Sequence, residues 1–315
     1  MTSPPLLTVV MYHYVRDLPR TRWPRLKAML LGDFRQQIDL LRQQYEMATL
    51  ASAIDYLEGW YCPERPLCLL TFDDALEEHY RDVTPILRDA GIQGLFMLQT
   101  SALAGRVAAV HKNHFLLASL PFEQYQRWFL SRAVAELPDI SLEVDARDVA
   151  RTYRWDAADV ARFKYLLNFR IPEDVREQIL DDLFAEHLGD EREFARDLYL
   201  QWNEAREMQS AGMMIGGHSH SHMALTRMDE EAVRADLTTC ATALHAHLQP
   251  QEFWPFSYPY GRVNETADPI LRQLGFSCSF TTQVGHNAPG ADLFRIRRID
   301  PKDVALTSTS AVAFN

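Results

Sequence analysis

Cysteine is scarce in this chain: four in 315 residues, at positions 62, 68, 240 and 278. No two of them form a Cys-x-x-Cys pair, which excludes both a disulfide framework and a cysteine-clustered zinc module. Cys68 and Cys278 lie in apolar runs and read as buried thiols, so a reducing compartment is expected. An excess of positive charge is also missing. Lys and Arg number 32 against 43 Asp and Glu, giving a net charge of -11 and a pI near 5.5. That balance argues against an extended phosphate-backbone surface and so against a nucleic-acid partner, although a local basic patch could hold one phosphate. No apolar run reaches the roughly 18 residues of a membrane span, so no integral membrane segment is expected. The opening MTSPPLLTVVMYHYV has neither a basic n-region nor a small-residue cleavage site, and a cytoplasmic location is the expectation. Internal repeats and low-complexity linkers are absent.

What is present is enough apolar material for a large core, 47% hydrophobic with 11% aromatic. The length suits one large α/β domain or two modest ones. Leu6 to Val15, Arg65 to Phe72 and Ile92 to Leu98 read as short buried strands, with a further candidate near Met47. Helices are expected over Phe34 to Gln44, capped by Asp33, over Ala51 to Gly59, and over Leu76 to Ala90. From about Leu103 to Gln209 the texture becomes charged and helical. The strand–helix rhythm then returns, with strands at Met213 to Gly217, Phe253 to Tyr258, Phe276 to Thr281 and Phe294 to Asp300. Helices are expected between them, at Asp229 to Leu248 and Glu265 to Leu274. Such alternation implies a parallel sheet, either doubly wound or closed as a barrel, with ligands at the carboxyl ends of the strands.

Four polar sites end apolar runs: His13, Asp73-Asp74, the stretch HSHSH at His218 to His222, and Tyr258-Pro259-Tyr260-Gly261. One Asp after a strand is ordinarily a helix cap, but two adjacent carboxylates repel unless a cation or shared proton relieves them. Three histidines in five residues are either a polar loop or a ligand group. On an extended strand all three share a face, and on a helical turn only His218 and His222 do. Two imidazoles and one carboxylate are a ligand set used by catalytic Zn²⁺. The Tyr258 turn is either simple punctuation or a backbone donor aimed at an oxyanion.

Taken in order, TFDD at Thr71 to Asp74, HSHSH and YPYG resemble the NodB-like polysaccharide deacetylases of carbohydrate esterase family 4. The run VVMYHYV is similar to that family's first strand. The resemblance covers about residues 6 to 102 and 212 to 300. It implies an α/β fold, a distorted (β/α)7-type barrel formed by 1–102 and 212–315, with 103–211 a largely helical insertion that could act as a lid. It also implies metal-dependent removal of an acyl group, usually acetyl, from a sugar. Matched position by position, Asp73 is the general base, Asp74, His218 and His222 hold the metal, His220 is a bystander, and the Tyr260 N–H faces the oxyanion.

Two features of the family pattern are missing. Arg is absent where Ser257 stands, leaving Arg297 or Arg298 to hold the catalytic Asp, with Arg297 the first candidate. The late histidine that serves as general acid has no counterpart, and His286 is the C-terminal candidate. His13, Tyr258 and Pro259 are candidates for substrate contact, as is Lys112 of the stretch HKNH, as a point charge for a phosphate. The cofactor expected from these ligands is Zn²⁺, with Co²⁺, Ni²⁺ or Mn²⁺ able to fill similar sites. Without a leader, the expected substrate is a nucleotide- or lipid-linked acylated sugar. Two rival readings are a cyclic amide or ureide amidohydrolase on the same scaffold, and a catalytically silent carbohydrate-binding protein.

Overall fold

A computed structural model describes residues 6–304. The outermost parts of the expected barrel segments, 1–5 and 305–315, lie outside the described residues. Seven strands follow one another around a parallel sheet: β1 (Leu7–Tyr12), β2 (Leu67–Asp73), β3 (Gly94–Leu98), β4 (Met214–Gly217), β5 (Pro255–Ser257), β6 (Cys278–Val284) and β7 (Ile296–Arg298). The last returns to the first. Ile299 bridges Val10, accepting from the Met11 N–H at 3.0 Å and donating to the Val9 carbonyl at 2.8 Å. The result is a nearly closed, distorted barrel. An eighth strand, Glu46–Met47, pairs only with the start of β2.

Strand alternation sorts the side chains into two cores. Leu7, Val9, Leu67, Leu69, Leu95, Met97, Phe280 and Ile296 form the interior cluster, joined by a single helix, α2 (Leu50–Glu58). The alternate set, Val10, Tyr12, Leu70, Phe72, Phe96, Leu98 and Ile215, packs outward against helices such as α1 (Leu31–Gln44), which contributes Phe34, Ile38 and Leu41. Every residue of β2 is buried, as expected for a parallel strand covered on both faces. Toward the carboxyl ends, the interior parity runs on through Met11 and His13, Thr71 and Asp73, and Gly216 and His218. Polar side chains therefore gather where the apolar interior stops.

Two local expectations are revised. Asp33 does not cap α1, because a two-residue strand at Met29–Leu30 runs directly into the helix and leaves Asp33 in its first turn. The helix expected over Leu76 to Ala90 is instead a π-helical turn, His79–Val83, followed by α3 (Thr84–Asp89). The Thr84 N–H bonds the His79 carbonyl five residues back, and Pro85 cannot supply the regular hydrogen bond of the next position.

The chain divides into two compact units. The barrel unit comprises, within the described residues, 6–17, Lys27–Arg106 and 195–304. The second unit combines Val107–Phe194 with the short segment Leu18–Leu26. It is built from α4 (Ala109–Ser119), α5 (Phe122–Glu136), α6 (Ala146–Thr152), α7 (Ala158–Phe169) and α8 (Glu173–His187). Phe115, Tyr125, Phe129, Phe163, Leu183 and Phe184 are buried in it. Trp23 anchors the short segment, with its ring 5.4 Å from that of Phe115. After α9 (Glu191–Leu198) and α10 (Trp202–Ser210), the barrel resumes, its later helices being α11 (Glu230–His247) and α12 (Ala267–Gln273).

Candidate metal centre and active site

Asp73 is the last residue of β2, and the chain turns sharply after it. Asp74 has φ +83° and Ala75 φ +57°. The turn aims the Asp74 carboxylate at the loop after β4, where its Oδ1 lies 3.1 Å from His222 Nε2 and 3.4 Å from His218 Nε2. The potential ligand atoms of these three buried residues all lie within 4.8 Å of one another. The Nδ1 of His218 is 2.7 Å from the Ser257 carbonyl, which can only accept. That contact places the proton on Nδ1 and leaves the Nε2 lone pair facing Asp74, the tautomer a metal-ligating imidazole needs. Donor type, burial and tautomer therefore all fit a divalent cation.

Asp73 faces the barrel interior, 1% exposed. Arg298 grips it with both arms: Nη1 donates to Oδ1 at 3.0 Å and Nη2 to Oδ2 at 2.8 Å. Ser257 Oγ adds a hydrogen bond to Oδ2 at 3.1 Å and accepts from Arg298 Nη2 at 2.8 Å. The remaining Arg298 donors are used too, Nε on the Thr281 carbonyl and Nη1 on Thr71 Oγ1. Burial alone would raise the Asp73 carboxyl. The Arg298 guanidinium, with His218 and His13 assisting, overrides that and brings it down to about 2. On His218, burial opposes protonation, but Asp73 and Asp74 outweigh it and raise the imidazole above its ordinary value.

Among the described residues, the non-glycine residues with left-handed φ are Asp74, Ala75, Ser219, His222 and Tyr260. Each costs conformational free energy, and all five belong to this site. Tyr260, φ +57°, lies in the turn Pro259–Gly261, with its ring 5.3 Å from that of His222. Gly261 is required there. It too has positive φ, and a Cβ on it would come within 2.0 Å of Thr282 Oγ1. His13 follows β1 at the level of Asp73, since Tyr12 pairs with Phe72. Its carbonyl accepts from Nε2 of the buried His79 at 2.9 Å.

The remaining sequence candidates fall elsewhere. Arg297 is not the residue on Asp73: adjacent strand residues point to opposite sides, so Arg298 takes the interior and Arg297 is exposed. His286 bonds Thr8 Oγ1 at 3.0 Å. Thr8 is level with Cys68, five residues and about 16 Å along the strand from Asp73. His286 is thus at the wrong end of the barrel for a general acid. Tyr258 points outward, donating its hydroxyl to Asp268 of α12, and Pro259 is buried beneath the turn. In the helical unit Lys112 is 1% exposed, with its ammonium paired to Asp181 and Glu191. The sequence marks Ser257 only as a position lacking an Arg and gives no signal of its contact with Asp73, which depends on register between distant strands.

A family model described as polysaccharide deacetylase matches residues 174–279. This span contains His218, His222, Ser257 and Tyr260, while Asp73 and Asp74 lie before it. The chain is similar over nearly its whole length to solved structures, among them deacetylases. IcaB from Ammonifex degensii is 23% identical with TM-score 0.56, covering 95% of this chain and 92% of that one. The Streptococcus pyogenes deacetylase PplD, in complex with acetate, is 14% identical with TM-score 0.57, covering 96% and 97%. The BpsB deacetylase domain from Bordetella bronchiseptica is 18% identical with TM-score 0.53, covering 93% and 94%. The resemblance to the NodB-like polysaccharide deacetylases thus holds in sequence and in fold. At these identities the structural likeness is one of fold. No curated protein matches.

Proposed function

We propose that the protein is a divalent-metal-dependent deacetylase that hydrolyses the amide of an N-acylated sugar. The observation that carries this reading is the buried trio Asp74, His218 and His222 beside a separate carboxylate, Asp73, held by Arg298. A cation bound by the trio supplies Lewis acidity toward the acyl carbonyl and its attacking water. The chain does the rest. Asp73, kept ionised and fixed in orientation by Arg298 and Ser257, accepts the proton of the attacking water. The N–H of Tyr260 faces the oxygen that becomes negative in the tetrahedral intermediate. His13, at the level of Asp73 on the neighbouring strand, protonates the departing amine in place of the family's late histidine. Arg298 also weakens the case for a silent binding protein, because it supplies to Asp73 the guanidinium that position 257 lacks.

Zn²⁺ suits the donor set best, with Co²⁺, Ni²⁺ and Mn²⁺ as alternatives. The four free thiols fit a reducing compartment, and a soluble nucleotide-linked sugar, or a lipid-linked one reached from that side, is the substrate class we favour. Among the described residues no helix is long and apolar enough to cross a membrane.

The test has two parts. Elemental analysis should find about one ion per chain in the wild type, and none in His218→Ala or His222→Ala. The loaded protein should then release acetate from a panel of N-acetylated sugars and nucleotide sugars, and His13→Ala should lose most of that activity while His286→Ala keeps it. Silence across the panel from a metal-loaded protein would defeat the deacetylase reading, and ureide hydrolysis in its place would favour the cyclic-amide rival.

A further inference from the structure

The middle histidine of HSHSH is not one of the trio, yet it is not idle. The backbone N–H groups of His220 and Ser221 both donate to one carboxylate, that of Asp236 on α11, at 2.8 and 2.9 Å. Asp236 is only 7% exposed. On the other side of the loop, His220 Nδ1 shares a hydrogen bond of 2.8 Å with Thr100 Oγ1. The N–H groups of Thr100 and Ser101 reach the carbonyls of Ser219 and His220 at 3.2 and 3.1 Å. The segment so clamped carries the two left-handed residues Ser219 (φ +62°) and His222 (φ +60°), the latter with its N–H on Ser219 Oγ at 3.0 Å. Without Cβ-free residues, this backbone conformation persists only if the surroundings enforce it. Two consecutive N–H groups converging on a buried charge make a charge-assisted restraint of this kind on the loop.

We propose that Asp236 is a positioning residue that presets the metal-binding loop, with His220 as its buttress, and thereby sets the affinity of the Asp74–His218–His222 site for its cation. The proposal rests on the metal-site reading above. Loss of the carboxylate leaves two N–H groups without their acceptor and lets Ser219 and His222 relax toward ordinary φ. That relaxation moves the His222 imidazole relative to His218, which α11 does not hold through Asp236. Partners that orient ligands in this way change metal affinity by about 10–100-fold when removed.

The experiment is competition for Zn²⁺ between the metal-free full chain and a chromophoric chelator, well below the melting temperature. Wild type, Asp236→Ala, Asp236→Asn and the control Asp229→Ala are compared. Asp229 caps the same helix through the Ala232 N–H and touches no part of the loop by that bond. Asp236→Ala should bind Zn²⁺ about 10–100-fold more weakly. Asp236→Asn, which keeps one acceptor, should lose less, and it carries the test if the alanine variant does not fold. Asp229→Ala should bind like the wild type while melting earlier. Unchanged affinity in both Asp236 variants overturns the proposal, and so does equal weakening in Asp229→Ala, which would mark a merely structural effect. If the wild type itself binds no Zn²⁺, the metal-centre reading fails and the proposal with it.

Discussion

Asp73 and Arg298 are the pair in which charge, burial and position are most tightly joined. Both are about 1% exposed, and the guanidinium spends all its donors on Asp73, Ser257, Thr71 and the Thr281 carbonyl. Replacing Arg298 with Met leaves a buried carboxylate uncompensated. Urea unfolding should show a loss of about 3–5 kcal/mol, with activity falling as Asp73 becomes harder to ionise. Arg297→Ala, one residue away but exposed, should change stability by less than about 0.5 kcal/mol. The same pair sets an acid response. The folded Asp73 titrates at about 2, below its ordinary 3.8. Its contribution, about 2 kcal/mol, is therefore complete above the unfolded value and lost as pH falls through the folded one. Asp73→Asn should flatten the stability–pH curve between about 4 and 2, and a curve unchanged by that substitution would contradict the pairing.

Elements show the cost of bringing such residues together. At Gly216 a Cβ would stand 2.3 Å from the Pro255 carbonyl and 2.7 Å from Met97 Sδ, so β4 lies too close to its neighbours to carry an inward side chain there. Gly216→Ala should cost about 1–3 kcal/mol and displace His218, two residues on. Gly32 in the first turn of α1 meets nothing within 4 Å and is not in the left-handed region. Gly32→Ala should stabilise by a few tenths of a kcal/mol to about 1 kcal/mol, chiefly through the unfolded chain. Paired thermal melts of these two variants check both signs. The π-helical turn at His79–Val83 belongs to the same scale: it seats His79 against the rings of Phe72 and Phe96, where its Nε2 ties the end of β1 to the end of β2.

On the scale of the whole molecule, the described trio and the Asp73–Arg298 pair both lie in the barrel unit. A cation bound there stabilises the folded barrel by RT ln(1 + [L]/Kd), about 2.7 kcal/mol at a hundredfold excess over Kd. Calorimetry with and without Zn²⁺ should show the metal raising the barrel's transition, and Asp74→Ala should abolish the rise. A rise that survives Asp74→Ala would place the ion elsewhere.

Much of this was legible in the chain itself. Asp73-Asp74, the paired His218 and His222, and Tyr260 announce themselves because each ends an apolar run, and a parallel strand must put its last residues at the carboxyl rim. The choice between Arg297 and Arg298 was not legible, because a strand of three residues declares no inside or outside until its neighbours fix the register. His286 looked like a late acid by order along the chain, whereas the chain folds back after β6 and carries it to the far end. Trp23 joining the helical unit, Ser257 completing the grip on Asp73, and Asp236 holding the loop are contacts between residues far apart in sequence. Sequence periodicity records only the local half of each. The order of polar rims along the chain was thus determined by sequence, and tertiary structure decided which side chains share one, because register, pleat and left-handed turns arise only when strands and helices pack.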